Sequence, residues 1–388
     1  MNVHVLPNTA EAIRLLSESA LRQSEVGPRS VDRPLVLYGA GKLGHLAADL
    51  FRRLGVPVAY ALDRSPTVDG RLPGDIPVRR PDEVGQAERD GHMVAVCIVN
   101  APYEPIRTEL SAMGWRHIFP VYDLLEAYVD RLPMGNGWFV GRLGEEDVSR
   151  ISAVLSNWSD DWSRAAHLQF VAWRLHRMEW QFPDAPVRID DRYFIEAVRL
   201  ALDEKECFLD AGAYHGDVAA RWLDIVKGRF RMILAVEADC ENVARLRGWV
   251  SSLPLEVGGR VRIQDCALAA EDGIRSFSHG MGLASRIVGQ SDGKVRTCRL
   301  DDLQFPVTCG KLHLEGGELN ALRGGMTTLQ RQRPVLAVTM YHNRDGLWRI
   351  PSLLMDALPS YRFLMRLHAW CGTGALLYAI PKERMRSV

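Results

Sequence analysis

The chain has 388 residues, of which 47% are hydrophobic and 25% are charged, and its 48 basic residues balance its 48 acidic residues. This composition is typical of a globular protein with room for two domains, and the zero net charge argues against a nucleic-acid partner. The sequence contains no run of 18 apolar residues and therefore predicts no membrane span.

Residues 1–33 lack the basic and apolar regions of a signal peptide and predict a helical segment, with an amphipathic helix that starts near Thr9. The seven cysteines are odd in number, scattered, and without a C-x-x-C pair. That pattern predicts neither a disulfide framework nor a cysteine zinc site, and it favours a cytoplasmic location. The sequence leaves a homo-oligomer open.

Residues 34–130 alternate strand and helix patterns, which predicts a Rossmann-like domain. The segment GAGKLG at 39–44 matches G-x-G-x-x-G between a strand and a helix, and Asp63 follows 19 residues later. This context predicts a nucleotide or NAD, with phosphates over Gly39, Gly41 and Gly44 and the ribose at Asp63. Because no oxidoreductase constellation accompanies the turn, a structural role remains an equal alternative.

Residues 131–200 have helical periodicity and contain five of the ten tryptophans. We interpret this segment as a helical connector packed between two sheets. An aromatic wall for a sugar or another flat ligand is the alternative, although aromatic side chains mostly serve as packing mass.

Residues 201–388 return to the α/β pattern and contain seven strand candidates. The last two lie too close together for a helix between them and predict an antiparallel hairpin. The predicted fold class is thus α/β, with two Rossmann-like domains joined by a helical linker.

A second glycine turn, FLDAGAYHGD at 208–217, follows the first of these seven strands and differs from the dinucleotide fingerprint. Its acids would repel a pyrophosphate but suit a cationic ligand such as S-adenosylmethionine (SAM). Glu237 ends the second strand, where an acid can accept both ribose hydroxyls, and Asp265 ends the third, where it can accept from adenine. The expected cofactor-binding residues are Asp210, Gly212, Tyr214, Asp217, Glu237, Asp265 and Cys266. Acids that merely cap the following helix are the alternative.

This half of the chain resembles the FkbM-type methyltransferases, through FLDAGAYHGD, AVEAD and above all LDDL followed by LEGGELNALRGG. The resemblance implies a seven-stranded class I SAM methyltransferase sheet and methyl transfer to a hydroxyl of a sugar, glycan precursor or natural product. The family's fourth strand commonly ends in Asp-x-Glu-Gly, whereas this chain has His313-Leu314-Glu315-Gly316. A histidine there also resembles a subgroup with a second α/β domain in front.

Removal of the hydroxyl proton calls for a base at the carboxyl ends of the later strands, and histidine titrates near neutrality. We predict His313 as the base, Glu315 as its orienting partner and His342 as a substrate contact. A divalent ion on these three residues is the weaker alternative, and the prediction assigns no metal. The rival functions are an NAD-linked oxidoreductase that uses the first glycine turn and a non-catalytic glycan-assembly scaffold.

Overall fold

The computed structural model of the chain describes residues 2–24, 26–65, 70–132 and 137–385. Two large, mostly parallel sheets, one of six strands and one of seven, are flanked by helices, which confirms the predicted pair of Rossmann-like units. Among the helices of the described residues, none combines the length and the apolar composition that a membrane crossing requires.

The first sheet is built from the first third of the chain and has the order β4-β5-β3-β2-β6-β7. In chain order, the elements here are β1 (Asn2–Val3), α1 (Thr9–Leu21), β2 (Leu35–Tyr38), α2 (Lys42–Arg53), β3 (Val58–Leu62), β4 (Arg71–Leu72), β5 (Ile76–Arg79), α3 (Gln86–Gly91), β6 (Met93–Val96), α4 (Tyr103–Ala112), β7 (His117–Pro120) and α5 (Val121–Leu125). Helix α1 begins at Thr9 as predicted, because the Asn8 side chain accepts a hydrogen bond from the Glu11 N–H at 3.0 Å. The short strands β4 and β5 were not predicted, since their pattern is interrupted by turn residues.

The first glycine turn is tightly packed and is held by Asp63. Gly39 has φ +101°, and a Cβ atom on Gly44 would lie 2.2 Å from the Gly39 carbonyl oxygen, whereas a Cβ on Gly41 would meet open space. The Asp63 carboxylate accepts from the backbone N–H of Ala40 at 2.8 Å and of Ser65 at 2.7 Å. These contacts give the turn a structural role, and nucleotide binding there stays a prediction.

Two alanine variants distinguish the close contact at Gly44 from the effect of replacing a glycine as such. Gly44→Ala is expected to lower the free energy of unfolding by about 1–3 kcal/mol, because the new methyl group overlaps a backbone oxygen. Gly41→Ala, which only changes the residue that caps α2, is expected to lower it by less than about 1 kcal/mol. Urea unfolding of both variants measures the difference, and equal losses would contradict the close-contact argument.

The helical connector joins the N-terminal segment to the second sheet. Its elements are α6 (Glu145–Asn157), α7 (Asp161–His176), β8 (Trp180–Gln181) and α8 (Glu196–Ala201). Helix α1 packs on α6 and α7, and β1 pairs with β8. Four of its five tryptophans are buried, at 138, 158, 173 and 180, which confirms that they serve as packing mass.

The second sheet has the order β11-β10-β9-β16-β17-β19-β18 and contains all seven predicted strands. The elements of this half are β9 (Cys207–Ala211), α9 (Asp217–Ile225), β10 (Met232–Glu237), α10 (Cys240–Ser252), α11 (Leu255–Gly258), β11 (Val261–Asp265), β12 (Ala267–Leu268), β13 (Gly273–Ser278), β14 (Arg286–Ile287), β15 (Lys294–Cys298), β16 (Cys309–Leu312), α12 (Glu318–Arg323), α13 (Met326–Gln332), β17 (Val335–Thr339), α14 (Arg349–Ala357), β18 (Tyr361–Leu367) and β19 (Ala375–Pro381). Strands β18 and β19 form the predicted antiparallel hairpin. Strand order reverses between β9 and β16, which is where a sheet of this kind binds its ligand.

A small sheet of order β12-β15-β13-β14 sits beside the second sheet and was not predicted. Its parallel pairing of β12 with β15 brings Cys266 and Cys298 together in a disulfide, with their Cα atoms 6.5 Å apart. The cysteine pattern argued against a disulfide framework and gave no sign of this one bridge, because its cysteines are 32 positions apart and only the strand pairing makes them neighbours. The cysteines therefore no longer favour a reducing compartment.

The segment between β13 and β14 connects the two halves. Met281 and Ala284 belong to the buried apolar cluster that the first sheet forms with α2 and α5. The Gly280 carbonyl oxygen accepts a hydrogen bond from Arg53 Nη2 at 2.6 Å. The first half of the chain thus supports a segment whose residues Gly282 and Ser285 line a cavity of the second half. The domain boundaries proposed from the sequence stay predictions.

Candidate functional site

A cavity opens at the carboxyl ends of β9, β10, β11 and β16, at the point of strand-order reversal. Its lining comes from the second glycine turn, the ends of these strands and the small sheet. The lining residues are Gly212, Tyr214, Val236, Glu237, Ala238, Asn242, Cys266, Ala267, Leu268, Phe277, Gly282, Ser285, Arg286, Ile287, His313, Leu314, Glu315 and Gly317.

The second glycine turn lies directly against the end of β16. Gly212 has φ +76°, and a Cβ atom there would lie 2.0 Å from the His313 carbonyl oxygen. Tyr214 is also left-handed, with φ +52°. Only glycine allows so close an approach at position 212, so the turn and the fourth strand end form one wall of the cavity.

Glu237 is held in place by the backbone at the end of β10. Its carboxylate accepts from the N–H groups of Tyr214 at 2.8 Å, Ala238 at 2.9 Å and Asp239 at 2.9 Å, and the residue is 8% exposed. Burial raises the pKa of Glu237 even though the three N–H groups pull it down. The Asn242 side chain also hydrogen bonds to this carboxylate, so a ligand that enters the cavity would share the carboxylate oxygens with Asn242.

Four of the seven expected cofactor residues line the cavity: Gly212, Tyr214, Glu237 and Cys266. The other three expected residues, all aspartates, do not line it. Asp210 lies beneath the turn, fully buried, 2.9 Å from Lys311 Nζ. Asp217 is exposed at the start of α9, and the Asp265 side chain is 51% exposed beside Arg247. Contacts of these three aspartates with the cofactor remain predictions, because none of the three lines the cavity.

The three predicted catalytic residues converge, and we call them the His–Glu–His cluster (His313, Glu315 and His342). His313 Nε2 lies 2.9 Å from Glu315 Oε1, and His342 Nε2 lies 3.4 Å from Glu315 Oε2. His313 and Glu315 line the cavity, whereas His342 is 1% exposed behind them. They meet because His313 follows β16, His342 follows the adjacent parallel strand β17, and Glu315 sits in a left-handed turn with φ +48°.

Glu318, the first residue of α12, is fully buried. It accepts hydrogen bonds from His342 Nδ1 at 2.7 Å, from the Thr339 hydroxyl at 2.6 Å and from the backbone N–H of Leu314 and Gly316. Burial alone would shift both pKa values toward the neutral forms, but the ion pair lowers the pKa of Glu318 and raises that of His342. The pair fixes the orientation of the His342 ring.

His313 is fixed by two phenols. Tyr193 Oη lies 2.6 Å from its Nδ1 and Tyr341 Oη lies 3.0 Å from its Nε2. Burial lowers the pKa of His313 to about 4, against the opposing effect of Glu315, so the ring is neutral at pH 7. A neutral ring has one nitrogen that can accept a proton or bind a ligand.

Residues of the small sheet and of α10 complete the cavity and were missed from the sequence. They are Asn242, Phe277, Ser285 and Arg286. Arg286 is 7% exposed, and its burial lowers the pKa of the guanidinium to about 10. No sequence signal identifies them, because Phe277 and Arg286 reach the cavity only through the pairing of β13 with β14, and Asn242 only through the packing of α10 beside it.

Comparison with known proteins gives a likeness of fold. No family model and no curated protein matches the chain. Among solved structures, the chain is similar to the methyltransferase FkbM from Methylobacillus flagellatus KT, with a TM-score of 0.61 and 18% sequence identity. The match covers 96% of this chain and 93% of that one, so it includes both sheets and the connector. The chain therefore has the fold of an FkbM-type methyltransferase.

Proposed function

We propose that the chain is a SAM-dependent methyltransferase that acts on a hydroxyl group. The observation that carries this proposal is the cavity at the strand-order reversal, which has Glu237 on the second strand end and the His–Glu–His cluster on the fourth. Glu237 is placed to accept from ribose hydroxyls, as the acid at that strand end does in sheets that bind nucleosides. The fold likeness supports the same cofactor.

The cluster would act on the acceptor hydroxyl opposite the methyl group. Arg192 Nη2, which can only donate, lies 3.1 Å from Tyr341 Oη and 3.4 Å from His313 Nδ1. Tyr193 Oη lies 2.6 Å from the same Nδ1 atom, so these side chains fix the His313 ring beside the cavity. His313, with Glu315 beside it, is the group that we propose to take the hydroxyl proton.

The acceptor class that we propose is a hydroxyl of a sugar, a glycan precursor or a natural product. The direct test incubates the chain with SAM that carries a deuterated methyl group and with pools of glycans and metabolites. The proposal expects S-adenosylhomocysteine to form together with an acceptor that gains one labelled methyl group. Production of neither, with SAM bound, would favour the scaffold alternative.

Glu237→Ala is expected to weaken SAM binding by about 1–3 kcal/mol, because it removes a charged hydrogen-bond acceptor for the ribose. Calorimetric titration with SAM measures the change, and thermal unfolding checks the turn that Glu237 holds. Asp265→Ala is the matched control, since the exposed Asp265 carboxylate lies outside the lining. An equal loss of SAM affinity in Asp265→Ala would mean that Asp265 contacts the adenine. It would contradict the placement of the cofactor in this cavity.

The oxidoreductase alternative depends on the first glycine turn. Titration with NADH and an assay of NADH oxidation with keto-sugars test it. Gly41→Val would fill the open space above the turn, so any nucleotide binding there should disappear while SAM affinity stays unchanged. Steady hydride transfer that is lost in Gly41→Val would overturn the methyltransferase proposal in favour of the oxidoreductase.

A further inference from the structure

We propose that the His–Glu–His cluster is a binding site for one divalent transition-metal ion. One donor atom from each of His313, Glu315 and His342 lies within 4.8 Å of the others. Two imidazoles and a carboxylate suit ions such as zinc, iron, manganese and cobalt, and they leave further coordination positions open. The inference rests on the proposed function only for what the ion acts on, since the contacts that argue for binding stand by themselves.

His342 supplies the first argument, because its Nε2 atom is buried without a hydrogen-bond partner among the described residues. The other ring nitrogen is fixed on Glu318 at 2.7 Å, so the ring cannot turn to satisfy Nε2 elsewhere. Buried polar atoms are rarely left unpaired. A histidine that binds a metal through one nitrogen usually donates its other N–H to a carboxylate, and that is the arrangement here.

His313 supplies the second argument, because its Nε2 atom lies 2.9 Å from Glu315 Oε1. A nitrogen and an oxygen are about this far apart when both bind one ion at the usual distances of about 2.0–2.2 Å. Tyr193 Oη, 2.6 Å from Nδ1, then plays for His313 the part that Glu318 plays for His342.

The backbone supplies the third argument. Glu315 is a non-glycine residue in the left-handed region, with φ +48°, and Gly316 follows with φ +102°. Backbone strain of this kind persists at functional sites, where surrounding contacts enforce it. Asn343 Nδ2 donates to the Gly316 carbonyl at 3.0 Å and holds the turn that places the Glu315 carboxylate between the two rings.

His313 and Glu315 line the cavity, so the open positions of an ion held here face the space proposed for the acceptor. An ion held here would bind the acceptor oxygen and lower the pKa of its hydroxyl, which would then lose its proton to water, and His313 would serve as a ligand of the ion and not as the base. Polarisation of a substrate oxygen is a common role of such ions. The cluster would then act on the acceptor through the bound ion, from the same place opposite the methyl group.

The test titrates Co²⁺ into the untagged chain after EDTA treatment, without SAM, and follows heat and visible absorption. One Co²⁺ per chain is expected. His342→Gln and Glu315→Gln should each weaken binding at least ~100-fold, and Glu318→Gln, which removes only the orienting carboxylate, by about 10–100-fold. His279→Ala is the control, because Asp239, Cys240 and His279 form the other group of close donor atoms among the described residues. That variant should bind Co²⁺ like the parent.

Absence of Co²⁺ binding by the parent, retention of full affinity in both His342→Gln and Glu315→Gln, or loss in His279→Ala would each overturn the inference. A direct ion pair between His342 and Glu315 would then account for the cluster. SAM titration of the same samples confirms folding and separates the two proposals. If SAM binds and Co²⁺ does not, the metal site fails alone; if Co²⁺ binds and SAM does not, the proposed function fails.

Discussion

Replacement of His313 with alanine is expected to lower methyl transfer at least ~10²-fold while SAM affinity stays near the parental value. The reason is that His313 Nε2 is the group beside the acceptor, whether it takes the hydroxyl proton or holds an ion, and loss of a positioned acid–base group typically removes 10²–10⁴-fold. Glu237, the proposed ribose contact, lies on a different strand end. Single-turnover measurements with saturating SAM, combined with SAM titration, give the two quantities separately.

His368→Gln is the matched control for this experiment. His368 also follows a strand of the second sheet, but it hydrogen bonds to the Tyr378 hydroxyl at 2.7 Å and to the Arg188 carbonyl at 2.5 Å, and it does not line the cavity. Its replacement should leave turnover far closer to the parent than His313→Gln does. Near-parental turnover in both His313 variants would reduce His313 to a packing residue.

Asp210→Ala is expected to lower the free energy of unfolding by about 3–5 kcal/mol, because it leaves Lys311 as an unpaired buried charge. Asp210 and Lys311 are 0% and 2% exposed, and Lys311 Nζ also donates to the carbonyl oxygens of Ala211 and Gly212. SAM binding should weaken as a consequence, since the pair supports the second glycine turn from below. Urea unfolding followed by tryptophan fluorescence measures the stability.

The double variant Asp210→Leu with Lys311→Met distinguishes support from direct contact. Removal of both charges eliminates the unpaired ion, so the double variant should be more stable than Asp210→Ala. Loss of SAM affinity in Asp210→Ala without any change in unfolding would contradict the supporting role and return Asp210 to the cofactor contacts predicted from the sequence.

The strands of the second sheet could be predicted because each has a recognisable pattern in its own short stretch of sequence. The seven strands of the second sheet were found because each is a short apolar run, and its last two because no helix fits between them. The small sheet was missed, since β12 and β14 have only two residues each and depend on partners far along the chain. The disulfide was missed for the same reason.

Part of the candidate site could be predicted from the order of the strands. Parallel strands end at one edge, so His313, Glu315 and His342 could be expected to meet. Glu237 and Asp265 are register partners on adjacent strands, yet only Glu237 lines the cavity. The Glu237 carboxylate is held by backbone N–H groups, whereas Asp265 lies on the edge strand and pairs with the exposed Arg247; the sequence does not show such partners. Glu318 could not be assigned, because its role depends on how α12 begins against the end of β17.

The most direct test of the central claim is a crystal structure of the chain with S-adenosylhomocysteine. Our account predicts the ligand in the cavity at the strand-order reversal, with its ribose hydroxyls within hydrogen-bond distance of Glu237 and its sulfur toward His313 and Glu315. A ligand bound over Gly39–Gly44 instead, or an empty cavity in crystals grown at saturating ligand, would contradict it.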